Sequence, residues 1–137
     1  MSWFKRKVKE VKAEAPNSPY KYPDGVCVVT ESGRYYLKGS TKYKIKSQSV
    51  FNSWAFPTVI DSSDVAISEY KPSLRRLGFR DGTVIRDIYD QRLYIISASA
   101  RVAITTPEAY RALGIDESRI RYASHEDVVF HKEGGSI

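Results

Sequence analysis

Apolar residues in this chain cluster first at strand spacing and then at helix spacing, and the order occurs twice. Val26-Cys27-Val28-Val29 is a β-branched run, Glu31-Ser32-Gly33 is a turn signal, and Tyr35-Tyr36-Leu37 resumes extended patterning. Gly39-Ser40-Thr41 marks a second turn before Lys42-Tyr43-Lys44-Ile45-Lys46, where charge and apolar side chain alternate with the period of two that a strand imposes. From Ser47 to about Ala55 the spacing changes: Val50, Phe51 and Trp54 fall on one side of a helix, and Pro57 closes it.

The second half spells the same elements. Thr83-Val84-Ile85, Leu93-Tyr94-Ile95-Ile96 and Arg101-Val102-Ala103-Ile104 read as three strands with turns near Asp90-Gln91 and Ala98-Ser99. Thr106 is placed as an N-cap, Pro107 suits the first helical position and Gly114 stops the helix. Asp61-Ser-Ser-Asp64 and Ser124-His-Glu-Asp127 each open a further short helix with a capping arrangement. Aligned, the halves match at offset 57 (Asp24-Gly25 with Asp81-Gly82), 58 (Arg34 and Tyr36 with Arg92 and Tyr94), 59 (Tyr43 to Phe56 with Val102 to Ile115) and 63 (Asp61, Asp64 and Val65 with Ser124, Asp127 and Val128). The offset grows only at turns and loops, where insertions are tolerated.

The expected fold class is therefore α+β: two pseudo-symmetric repeats, each a three-stranded antiparallel meander followed by two short helices, with an extended or helical N-terminal arm. The expected divisions are a docking arm and tether at 1–21, repeat one at 22–70, a basic linker at 71–80, repeat two at 81–133 and a loose tail at 134–137. One repeat of about 50 residues encloses a small core. Two copies packed face to face about a pseudo-twofold axis would cover each other's apolar faces, with Leu74, Leu77 and Phe79 laid across them.

Charge alters this picture at two places. The chain has 137 residues and a formal net charge of +6. The excess lies in residues 1–16, with five bases and two acids, and in 71–80, with Lys71, Arg75, Arg76 and Arg80 and no acid. A dedicated nucleic-acid domain more often spreads such charge over a folded face. Lys42, Lys44 and Lys46 would share one face of a strand and, with Arg75 and Arg76, form an electrostatic patch for phosphates or acidic groups. In the arm, Trp3, Phe4, Val8 and Val11 fall on one side of a helix with lysines filling the remainder, which suits docking into a groove on a partner. Ala13 to Pro23, with three prolines, is an extended tether. No stretch is long enough to cross a bilayer, and the basic start lacks the apolar run of a secretion signal, so synthesis in the cytoplasm is expected.

Catalytic chemistry is poorly represented. The single cysteine, Cys27, sits in a strand pattern and reads as a small buried hydrophobe. His125 and His131 could join Glu126 and Asp127 around a metal, but a spacing of six does not align two histidines on one helical face. Asp87 and Asp90 fall at a turn, where acids serve local hydrogen bonds. Neither a catalytic residue nor a cofactor or metal site is expected.

The order Asp-Gly, Arg-x-Tyr-x-Ile, hydrophobic-x-Ile, Thr-Thr-Pro-x-x-Tyr and Leu-Gly-Ile, carried by Asp81, Gly82, Arg92, Tyr94, Ile104, Pro107, Tyr110, Leu113 and Gly114, resembles a short repeat of phage virion and tail-associated proteins and of some bacterial surface proteins. Copy one departs from it, with Trp54-Ala55-Phe56 where Leu-Gly-Ile stands. The resemblance implies a non-enzymatic structural or adaptor protein of a virion (head, neck or tail), contacting other virion proteins and, as a second option, further copies of itself. The alternative is a small basic nucleic-acid-binding protein using the arm, the lysines and Arg75-Arg76.

Overall fold

The computed structural model describes residues 22–137, so the arm and its docking residues Trp3, Phe4, Val8 and Val11 lie outside the described residues. The chain forms two compact units. The first comprises the described residues up to Ile45 together with Ala55–Leu77, and the second comprises Lys46–Trp54 with Gly78–Ile137.

Each unit is built on a five-stranded mixed sheet. In the first unit, β1 (Cys27–Thr30), β2 (Gly33–Lys38) and β3 (Thr41–Lys44) pair antiparallel in sequence order. β4 (Val59–Asp61) adds parallel to β1, and β5 (Lys71–Pro72) adds parallel to β3. The order is β4-β1-β2-β3-β5. The second unit repeats it with β6 (Val84–Asp87), β7 (Leu93–Ser97), β8 (Ala100–Ala103), β9 (Arg121–Ala123) and β10 (Glu133–Ser136), in the order β9-β6-β7-β8-β10. β9 and β10 are again the parallel outer strands.

The repeated sequence marks produce repeated hydrogen bonds. Asp24-Gly25 and Asp81-Gly82 place glycine at φ +92° and +90°, a conformation side chains resist. The N–H of Gly25 donates to Leu37 and that of Gly82 to Ile96, both at 2.7 Å. Ile45 donates to Arg34 and Ile104 to Leu93, both at 2.9 Å. Leu37 and Ile96 are buried, as are Val28 and Ile85 on the adjacent strands. The first core is Val26, Val28, Leu37, Ile67 and Tyr70. In the second unit Phe79, Ile85, Tyr94, Ile96, Ala123 and Val128 are buried.

Several expectations are corrected. The sheets have five strands, not three, because short segments with no strand period of their own find backbone partners along exposed sheet edges. The register differs from the sequence alignment in two stretches. Val28 faces Tyr35 and Ile85 faces Tyr94, so the middle offset is 59, not 58. Ser63 caps Ala66 and Ser124 caps Asp127, so the last offset is 61, not 63. Ala66, not Asp64, therefore matches Asp127. The second short helix forms in the second unit, α3 (His125–Val129), whereas the matching stretch of the first unit is a run of turns. The expected linker begins as β5, and its Leu74 is fully exposed while Phe79 is buried. The expected loose tail is the edge strand β10, where a Cβ at Gly134 would sit 2.9 Å from that of Ala100, so glycine permits the close approach.

The helices after the meanders are α1 (Gln48–Trp54) and α2 (Pro107–Ala112). Both start alike: Val50 N–H donates to Ser47 Oγ at 3.3 Å, and Ala109 N–H to Thr106 Oγ at 3.1 Å. Both end in a left-handed residue, Ala55 (φ 47°) and Gly114 (φ 62°). They part in burial. α1 belongs to the second unit and buries Val50 and Ser53, whereas α2 buries no residue.

Candidate functional site

The seat of α1 within the second unit is polar at both ends. Ser47 Oγ donates to Asp127 Oδ2 at 2.6 Å, and Lys46 Nζ lies 3.3 Å from Asp127 Oδ1 and 3.5 Å from Glu126. Lys46 and Asp127 are nearly buried, so removing one would leave the other charge poorly solvated. At the other end Trp54 Nε1 donates to Gly78 C=O at 2.8 Å, and Arg80 N–H to Ser53 Oγ at 3.3 Å. Between them Val50 is 1% exposed.

Near this seat opens a cavity of about 1050 Å³, bounded by α1, the Arg80–Val84 turn and the segment from Leu113 to Tyr122. Arg80, Arg119 and Arg121 are balanced in part by Asp81 and Asp116 on its wall. Exposed apolar side chains of the second unit include Ile88, Tyr89, Leu113 and Tyr122.

A second cluster joins Asp87 to His125. His125 Nδ1 donates to Asp87 Oδ2 at 2.6 Å, and Tyr89 N–H donates to Asp87 Oδ1 at 2.8 Å. Burial works to raise the Asp87 carboxyl. The hydrogen bonds from His125 and Tyr89 and the charge of the imidazole outweigh it, so the group lies below the ordinary aspartate value. Asp87, Asp90 and His125 each offer one ligand atom within 4.8 Å of the others. A carboxylate-held imidazole is half of many hydrolytic and metal centres. Here the same bonds tie the start of α3 to the end of β6 and close the following turn, which accounts for the buried carboxylate.

The other sequence candidates disperse. Lys42 donates to the Ile67 carbonyl at 3.3 Å and lies 5.7 Å over the Tyr35 ring, Lys46 is held by Asp127, and Lys44 is exposed. The three lysines therefore do not form one free row. Arg75 and Arg76 are exposed in the first unit. Cys27 is buried, and burial pushes its thiol up to about 12, which suits packing and not nucleophilic chemistry. His131 is not brought to His125. Its Nε2 accepts Phe79 N–H at 2.9 Å and its Nδ1 donates to Ser99 C=O at 2.7 Å, so neither ring nitrogen is left for a metal.

Sequence reasoning missed the Asp87–His125 and Ser47–Asp127 ties because the partners are 38 and 80 residues apart. The local signals at these positions, a turn acid and a capped helix start, are fully explained by short-range hydrogen bonds. No protein family, curated protein or solved structure matches this chain.

Proposed function

We propose that this chain is a non-enzymatic structural or adaptor protein that acts through protein–protein contacts, with a phage particle (head, neck or tail) as the assembly to which the sequence resemblance points. One observation carries this reading. Two helices of equal origin and equal capping differ in cover: α1 buries Val50 and Ser53 within the second unit, and α2 is left with no buried residue. A helix that buries residues in one copy and only half-buries Ala109 and Tyr110 in the other suits contact with a partner. The arm residues Trp3, Phe4, Val8 and Val11 would supply a further contact.

The described lysines weigh against the nucleic-acid alternative. Lys42 and Lys46 are engaged within their own units, so fewer charges remain for phosphates than the sequence suggests. The test is mass spectrometry of purified particles from the phage that encodes the chain. A fixed ratio to the other structural subunits supports the proposal. Recovery only in the unassembled lysate, or affinity for DNA that falls steeply with salt, would overturn it.

A further inference from the structure

We propose that the chain associates with itself head to tail, α2 of one copy seating on the first unit of a second copy as α1 seats within the second unit of its own chain. This rests on the assembly reading above and names its partner.

The equivalence of the two helices is fixed by hydrogen bonds. Phe51 N–H donates to Ser47 C=O at 3.0 Å, and Tyr110 N–H to Thr106 C=O at 3.1 Å, with matching side-chain caps. α1 has its seat, and among the described residues the first unit contains no helix. The positions that build the seat can be traced into the first unit through the observed register. Arg80 corresponds to Pro23, Glu126 to Val65 and Asp127 to Ala66. On the helix side Lys46 corresponds to Thr105, Ser53 to Ala112 and Trp54 to Leu113.

Two of the four polar contacts of the seat are lost from helix and seat together. Where α1 brings the Lys46 ammonium to two carboxylates, α2 brings the neutral Thr105, and the first unit offers Val65 and Ala66. The charge has gone from both sides. Where Ser53 Oγ accepts the N–H of Arg80, α2 has Ala112 and the first unit has Pro23, which carries no N–H. Acceptor and donor are lost as a pair. The other two are lost on one side only: Thr106 keeps the hydroxyl of Ser47 where Ala66 stands for Asp127, and Leu113 lacks the N–H with which Trp54 reaches a backbone carbonyl. What remains on α2 is Ala112 and Leu113, the latter 41% exposed, and on the first unit Pro23, Val65 and Ala66, with Val65 81% exposed. The match between the neutral helix and the neutral seat excludes the charged seat, where Asp127 would meet no cation. Such a contact uses different surfaces on the two copies, so it propagates into a ring or a filament.

Sedimentation velocity on the full chain tests this, with circular dichroism melts to show that each variant is folded. The wild-type coefficient should rise with concentration. Ala112→Arg on the helix and Val65→Glu on the seat should each weaken association at least about tenfold, since either puts an unpaired charge into an apolar contact. Mixed together, these two variants should form a complex of two copies and stop there, because one intact helix and one intact seat survive. Ala66→Asp should also weaken association, and adding Thr105→Lys should restore it by rebuilding the Lys46–Asp127 pairing between copies. A wild-type chain that is monomeric up to about 1 mM, variants that assemble like wild type, or a mixture that stays monomeric would each overturn the proposal. A chain that is monomeric alone yet present at fixed ratio in particles overturns self-association and leaves the assembly reading standing. A chain that self-associates but is absent from particles does the reverse.

Discussion

In the first unit the entry to the sheet is closed by a phenol. The Tyr70 hydroxyl accepts the backbone N–H of Tyr22 and donates to its carbonyl, both at 3.1 Å. At the same place in the second unit an imidazole closes it, with His131 Nε2 accepting the N–H of Phe79 and the ring lying between Phe79 and Phe130. The topology demands a buried flat ring bearing an acceptor there, not a particular residue. The two solutions differ in load. The Tyr70 hydroxyl is tied to the backbone of Tyr22, while His131 also donates to Ser99, and its own carbonyl accepts the Arg101 guanidinium, so it couples three separate segments.

That difference can be broken most visibly at His131. His131→Ala should cost about 3–5 kcal/mol in chemical denaturation, from the lost ring volume and two unpaired buried groups. Tyr70→Phe, which keeps the ring and removes only the hydroxyl, should cost about 1 kcal/mol. Equal losses would show that the closures do not differ as described. Next in size, Asp127→Ala should cost about 2 kcal/mol by stranding Lys46 and Ser47, and should free α1 to exchange its amides faster.

Asp87 sharpens the contrast through pH. Its folded value lies below the ordinary one, so its stabilisation is complete above the ordinary aspartate range and is lost as pH falls through the folded value. Denaturation midpoints measured against pH should fall on acidification, and Asp87→Asn should flatten that acid limb. An unchanged limb would remove the charge from the account of the turn. The smallest effect is a gain. Ala98 stands at φ 50° where the first unit has Gly39 at φ 61°. Ala98→Gly should raise stability by up to about 1 kcal/mol, read as a higher Tm.

What the sequence displayed were the elements with local causes. Thr106, Pro107 and Gly114 frame α2 because capping, fixed φ and left-handed freedom all act within a few residues. The Asp-Gly turns were legible for the same reason. The outer strands were not. Val59–Asp61, Lys71–Pro72 and Glu133–Ser136 are two to four residues long, and the last is Glu-Gly-Gly-Ser, with no strand character. They are extended because a neighbouring edge offers hydrogen bonds, a cause located elsewhere in the chain. The one-residue slip in aligning Tyr36 with Tyr94 has a related origin. Adjacent tyrosines and isoleucines look alike in sequence, and only cross-strand pairing tells which side of the sheet each takes. At the candidate site, Asp127 was visible as a capping acid, whereas its hold on Ser47 and Lys46 was not.

Hydrogen exchange on the full chain addresses the central claim most directly, that one helix of a matched pair is covered and the other waits for a partner. In dilute solution the amides of Val50 to Trp54 should exchange slowly and those of Tyr110 to Leu113 quickly, with the second set slowing as concentration rises. Helices that exchange alike at every concentration, or an α2 already protected at the lowest, would contradict it.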